Sequence, residues 1–256
     1  MRYPLTMRAV APLLLLLALG ACESDTRTET ATPNEVASPS GEPSRAQGTE
    51  AAEDTTPGAG QATGAEGAGA PIAHTLVPLP GKEDQVPVLT RKSTVVLETT
   101  AGDVTIEVYP EAAPNAAERF VQLVESGFYD GTPISRVIPG FVAQFGINWR
   151  TPHRGWRDRP FNDDPTLFAL ERGTLAFAKA GPNTNSTQVF INYRENNYLA
   201  SPDQNFTVFG KVVDGMDVVD AFVPLELDQM RLWIDGAALI DSLDVKPTMI
   251  ERAYVR

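Results

Sequence analysis

Two stretches concentrate the residues able to do chemistry: SRVIPGFVAQFG over 135–146 and FAKAGPNTNSTQVFIN over 177–192. The first sets one cation (Arg136), two phenylalanines (Phe141 and Phe145) and one amide (Gln144) among apolar neighbours, and the second adds Gln188 and Phe190. A guanidinium and two amides beside large apolar side chains can hold an extended peptide in an apolar groove through a few directed hydrogen bonds. Such a groove needs no nucleophile. The chain has two histidines, His74 in a proline-rich segment and His153 in a loop after Trp149, so a Ser-His-Asp arrangement has no base placed for it. With a single cysteine, a His/Cys metal site is equally unsupported, and no metal is expected.

The elements that must position these residues follow from periodicity. TVVLETTAGDVTIEVY (94–109) alternates apolar and polar on both sides of Ala101-Gly102-Asp103, a hairpin signature. In the next segment Ala116, Phe120, Leu123 and Val124 share one helical face, with Pro114 suited to the start and Gly127 to the end. Short strand-like runs then follow (SRVI, FVAQF, GTLAFAK, QVFIN, FTVFGKVV, LIDSLDV), separated by Gly, Pro and Asn clusters. That pattern predicts a mainly antiparallel sheet closed into a barrel. A second short helix is expected over Met216 to Phe222, ahead of Pro224. His153, Arg154, Arg157 and Arg159 with Trp149 and Trp156 make a basic loop, read as solvated and balanced by Asp163, Asp164 and Glu171. A formal charge of −12 argues against nucleic acid as a partner.

Four domains are expected: 1–21, 22–70, 71–92 and 93–256. The first carries Arg2, Arg8 and an apolar core from Ala9 to Leu19, which reads as a secretory signal. Its core of about eleven residues falls short of the roughly 20 that a spanning helix needs. Leu19-Gly20-Ala21-Cys22 resembles a bacterial lipobox, which implies cleavage before Cys22 and lipid attachment to it; the alternative is an ordinary signal peptide with an incidental cysteine. More than one acyl chain there would anchor the protein stably in a bilayer. From Glu23 to Ala70 the only large aliphatic residue is Val36, no aromatic occurs, and nine acidic residues face Arg27 and Arg45, so a disordered tether is expected. At ~5–6 Å × √n it would span roughly 35–40 Å. Pro71, Pro78, Pro80 and Pro87 turn the next segment into an extended arm, and the 164 residues from Ser93 suit one domain with one core.

GFYDGTPISRVIPGFVAQFG, GTLAFAKAGPNTNSTQVFIN and FTVFGKVVDGMDVV, in order from residue 127 to 219, resemble the cyclophilins, the barrel-type peptidyl-prolyl cis/trans isomerases. The resemblance implies a closed eight-stranded antiparallel barrel capped by two helices, with the hairpin at 94–109 and a strand at 239–245 as its first and last strands. It also implies the reaction. Rotation about an X-Pro bond breaks amide resonance across ~18–20 kcal/mol and takes tens to hundreds of seconds unaided. The twisted amide has a pyramidal nitrogen whose lone pair can accept a hydrogen bond, so a fixed donor aimed at it binds the transition state better than either ground state.

By this resemblance the donor is Arg136, with Phe141 and Gln144 completing the catalytic set and Gln144 bonding the substrate backbone. Phe141, Val142, Phe190 and Leu199 line the proline pocket, with Phe206 where many relatives place a histidine. Ala178 and Lys179 offer a strand edge along which the peptide lies, and Gln188 supports Arg136 or shapes the neighbouring groove. Tyr198 falls where some relatives carry a tryptophan. Residue by residue, plainer roles exist: Phe141, Phe145 and Phe190 as barrel core, Arg136 in a structural salt bridge, the glutamines on buried backbone groups. Three positions depart from the family pattern: Ser135 for histidine, Val142 for methionine and Lys179 for asparagine, a set expected to change specificity before activity. No cofactor is implied, since the reaction only rotates a bond. The expected partners are proline-containing polypeptides and, through acylated Cys22, a lipid bilayer; the protein is expected to be a monomer, exported and membrane-anchored, facing the periplasm or cell exterior. The alternative from another class is a non-catalytic module of the same fold that holds peptides.

Overall fold

The computed structural model describes residues 76–256. The signal segment, Cys22, the tether and residues 71–75 of the arm lie outside the described residues.

β1 (Ser93–Thr99) and β2 (Gly102–Val108) form the hairpin expected from their alternation, with Val95, Leu97, Val104, Ile106 and Val108 fully buried. α1 (Pro114–Glu125) follows, starting on its proline and burying Ala116, Ala117, Phe120, Leu123 and Val124. Its first turn has no side-chain cap of its own. Asp164, far along the chain, accepts the N–H groups of Asn115 and Ala116 at 3.1 and 2.9 Å.

Next come β3 (Thr132–Ile138), β4 (Val142–Phe145), β5 (Thr174–Phe177), β6 (Val189–Asn192), β7 (Val208–Asp214), α2 (Met216–Asp220), β8 (Leu225–Glu226), α3 (Gln229–Asp241) and β9 (Met249–Val255). The ring runs β4-β6-β5-β7-β2-β1-β9-β3 and is closed by β3 pairing back to β4, every pairing antiparallel. This is the closed eight-stranded barrel; the two-residue β8 adds a short ninth piece along β3. Two 3-10 turns, His153–Asp158 and Asn197–Ala200, lie in the long connections.

α1 and α2 are the two expected helices, and α3 is a third. The strand expected at 239–245 is not formed: residues to Asp241 belong to α3, and the last barrel strand is β9, paired to β1 and β3. α3 is kinked at Asp235 (φ −149°, ψ 72°): the Asp228 carboxylate caps the first part, with buried Leu232 and Trp233, by accepting the N–H of Arg231 at 3.0 Å, and Asp235 caps the second, with buried Gly236 and Leu239, by accepting the N–H of Ala238 at 3.2 Å. In β9 a register shift opposite Glu98 and Thr99 interrupts the alternation, so only Ile250 and Ala253 are buried. Among the described residues no helix is long and apolar enough to cross a membrane.

The arm is docked on the barrel domain. Leu79 donates its N–H to Leu167 O and Ala169 donates to Val77 O, at 2.9 and 2.8 Å. Leu76, Val86 and Leu89 pack with Tyr109, Phe168 and Leu170 in a second apolar cluster, separate from the barrel interior.

Candidate active site

The period of two along the strands divides the side chains between those two clusters. Ala143 and Phe145 of β4, Leu175 and Phe177 of β5, Val189 and Ile191 of β6, and Phe209 of β7 fill the interior. The residues between them, Val142, Ala176, Phe190 and Val208, fall in the second cluster. Phe145 is thus barrel core, whereas Phe141 and Phe190 are not.

Strand register then lays the outward residues side by side. Arg136 lies opposite Gln144, Gln144 opposite Phe190, Phe190 opposite Ala176, and Ala176 opposite Val208. Arg136 joins this row through a bulge. Ile134 pairs with Phe145 and Arg136 with Gln144, so two steps on β3 match one on β4 and Ser135 is the extra residue. Without it, an interior Ile134 would put Arg136 inside as well; with it, Val137 takes the interior place and Arg136 turns outward. Buried Ser135 donates its hydroxyl to Gln144 O at 3.3 Å.

Phe141 sits at the end of the β3–β4 turn, its N–H bonded to Ile138 O, with Pro139 and Gly140 (φ 71°) between them as in a type II turn. The Arg136 guanidinium lies over its ring at 5.9 Å. Tyr198 stacks on the same ring at 6.5 Å, and Phe206 meets Phe190 edge-on at 5.6 Å. Leu199 is buried in the 3-10 turn beside Tyr198, and Phe206 donates its N–H to Leu199 O at 3.0 Å. Phe141, Val142, Phe190, Leu199 and Phe206 therefore belong to one apolar surface with a cation and an amide along its edge.

The glutamines are coupled to each other. Gln144 donates Nε2–H to Gln188 Oε1 at 2.9 Å, so of the two expected roles for Gln188 the direct contact is with Gln144 rather than Arg136. Gly146 (φ 105°) makes the approach possible: a Cβ there would lie 2.2 Å from Thr187 O. Ala178 donates its N–H to Gln188 O at 2.8 Å, so that group of the expected strand edge is occupied within the protein.

Lys179 contributes more than backbone. Its side chain is 4% exposed and reaches Asp163 at 2.8 Å, Asn205 O at 2.9 Å and the Phe206 ring at 5.6 Å, tying three loops together. Burial alone would lift the Asp163 carboxyl, but the hydrogen bond and charge of Lys179, with the N–H of Asn183 and the amide of Asn185, hold it below the usual carboxylate value. Asp163 and Asp164 are thus engaged by Lys179 and α1 rather than by the basic loop, and Glu171 lies 3.8 Å from Lys211. Two of the loop's arginines lie over rings instead: Arg159 over Trp156 at 5.0 Å and Arg157 over Trp233 at 5.2 Å.

Two further residues stand at this surface, Tyr198 and Glu226. Tyr198 carried a signal, its place next to Leu199. Glu226 carried none: its Oε1 accepts from Arg136 Nε at 3.0 Å across a separation of 90 residues, created by the pairing of β8 with β3. Among the described residues no group of three or more His, Cys, Asp or Glu is placed to hold a metal ion.

Residues 94–243 match the family model described as "Cyclophilin type peptidyl-prolyl cis-trans isomerase/CLD". The chain is 41% identical over 133 residues to peptidyl-prolyl cis-trans isomerase-like 3 of Rhizopus delemar, covering 48% of this chain and 76% of that protein. It is 40% identical over 131 residues to peptidyl-prolyl cis-trans isomerase CYP18-1 of Arabidopsis thaliana, covering 49% and 79%. With peptidyl-prolyl cis-trans isomerase-like 3 of Homo sapiens the identity is 36% over 140 residues, covering 53% and 84%. Sequence match and closed barrel agree, and the chain belongs to the cyclophilin-type peptidyl-prolyl cis-trans isomerases.

Proposed function

We propose that the protein accelerates rotation about X-Pro bonds in exported polypeptides, with Arg136 as the donor to the prolyl nitrogen and Cys22 as the site of a lipid anchor that holds the domain at the outer side of a membrane. The observation that carries the catalytic part is the row Arg136–Gln144–Phe190 across three strands, with the guanidinium at the edge of the apolar surface. The proline ring binds among Phe141, Val142, Phe190, Leu199 and Phe206, which fixes one side of the scissor-like rotation. Gln144, oriented by Gln188, holds the substrate backbone on the other side. Lys179 has no intramolecular hydrogen bond on its main-chain N–H or C=O among the described residues, leaving both for an extended peptide. As the amide twists, conjugation is lost and the nitrogen lone pair becomes an acceptor. The guanidinium is charged throughout and donates to it, so the interaction is strongest at the top of the barrier.

The test is cis-to-trans conversion of a short X-Pro peptide by the full chain beside its Arg136→Ala variant. Loss of about 10²-fold in kcat/KM is expected, the scale of removing one preorganised donor. An equally active variant rejects Arg136 as the donor, and a wild type that binds peptide without turnover replaces the enzyme with a holding module. For the anchor, Cys22→Ala is expected to move the protein from the membrane to the soluble fraction of an expressing bacterium.

A further inference from the structure

Glu226 lies outside every motif in the sequence, yet it is the residue that grips the Arg136 side chain. Its placement is built in. β8 sets Glu226 directly across from Arg136 and Leu225 across from Val137. Buried Leu227 follows, its N–H on Ser135 O at 2.9 Å, and Val223 on the other side donates to Thr248 Oγ1 at 3.1 Å. Asp228 then caps α3. A carboxylate 61% exposed contributes little to stability by pairing with an arginine, so the contact is poorly explained as a structural bridge.

What the contact does is geometric. A guanidinium has five N–H donors in a rigid plane; taking the Nε–H from one side fixes that plane and leaves the four terminal N–H groups. The side chain so held is 13% exposed and lies over Phe141, at the edge of the apolar surface. We propose that Glu226 is a positioning residue for prolyl isomerisation, holding Arg136 by its Nε so that the terminal N–H groups face the bound proline before the amide twists. The inference rests on the reading of Arg136 as donor. A free arginine would lose rotamer freedom during the reaction itself, which slows the step; one already held does not. The hydrogen bond is the working part. The negative charge beside the guanidinium weakens its pull on the lone pair, so a neutral acceptor of the same shape suffices.

The experiment compares wild type, Glu226→Ala, Glu226→Gln and Arg136→Ala as full chains, by kcat/KM on an X-Pro peptide and by the 15N NMR signal of the Arg136 Nε–H. Glu226→Ala is expected to lose roughly fivefold in kcat/KM, the scale of one freed side chain. Its Nε–H signal should disappear through solvent exchange, while Glu226→Gln keeps both rate and signal. Wild-type activity in Glu226→Ala alongside an impaired Arg136→Ala overturns this inference alone, as does a Gln variant as impaired as the Ala variant. Full activity in Arg136→Ala overturns the donor assignment and this inference with it.

Discussion

Lys179 and Asp163 form a pair whose members are 4% and 13% exposed, and their joint burial makes each depend on the other. Removing the ammonium leaves a desolvated carboxylate with only the Asn183 and Asn185 donors. Lys179→Ala is therefore expected to cost about 1–3 kcal/mol in a urea titration. The same pair gives a pH dependence. Because the folded Asp163 carboxyl titrates below its unfolded value, its stabilisation is fully present above about pH 4 and is lost as pH falls through the folded value. Asp164 has the opposite sign: burial raises it despite the α1 N–H groups, so its contribution favours the fold in acid and fades as pH rises. Thermal melts from pH 7 to pH 3 should show Asp163→Asn less stable than wild type at pH 7 but with a flatter decline below pH 4. At this scale the sequence was readable where residues act from short runs. Arg136, Phe141, Gln144 and Phe190 all sit within two segments, whereas the Glu226 contact, the reach of the Lys179 side chain and the Asp164 cap arise from residues brought together across long separations.

Among the elements, α3 and β9 mark where periodicity misleads. The run LIDSLDV fits both a period of two and the tail of a helix, and the cap at the Asp235 kink, which accepts the N–H of Ala238, favours the helix. In β9 the bulge and the central Glu251 and Arg252 hide the strand. The β3 bulge is the subtler case: strict alternation from Ile134 would bury Arg136, and no composition signal at Ser135 announces the extra residue. The hairpin, α1 and the runs that form β3 to β7 were legible because their patterns are regular. α3 is seated against Trp149 through Gly236, where a Cβ would come within 2.3 Å of the indole. Gly236→Ala should therefore lower stability by about 1–3 kcal/mol through overpacking, despite the better helix propensity of alanine, as measured by chemical denaturation.

Taken as a whole, the described protein is a ring of strands whose outward surface is completed by a segment from before the first strand. Leu76, Val86 and Leu89 share a cluster with Phe190, Leu199 and Phe206, so the arm belongs to the packing that backs the candidate site. A chain lacking residues 76–92 leaves Phe168 and Leu170 uncovered, and its melting temperature is expected to fall; Leu76→Ala alone should cost about 2–3 kcal/mol, near the low end for a buried leucine. Unchanged melting in both would mean that the arm only rests on the surface. The arm's clasp also decides how the molecule meets mechanical load. Tension applied from the N-terminal side reaches the two hydrogen bonds of Val77 and Leu79, to Ala169 and Leu167, among the first of the arm's ties, ahead of the packing of Val86 and Leu89 and the contacts of Thr90 and Arg91 with Glu111 and of Lys92 with Glu107. Those bonds can part and the arm can pay out while β1, paired on both sides by β2 and β9, stays in register. The clasp is thus a mechanical fuse: single-molecule pulling should record a weak early release before the barrel itself yields.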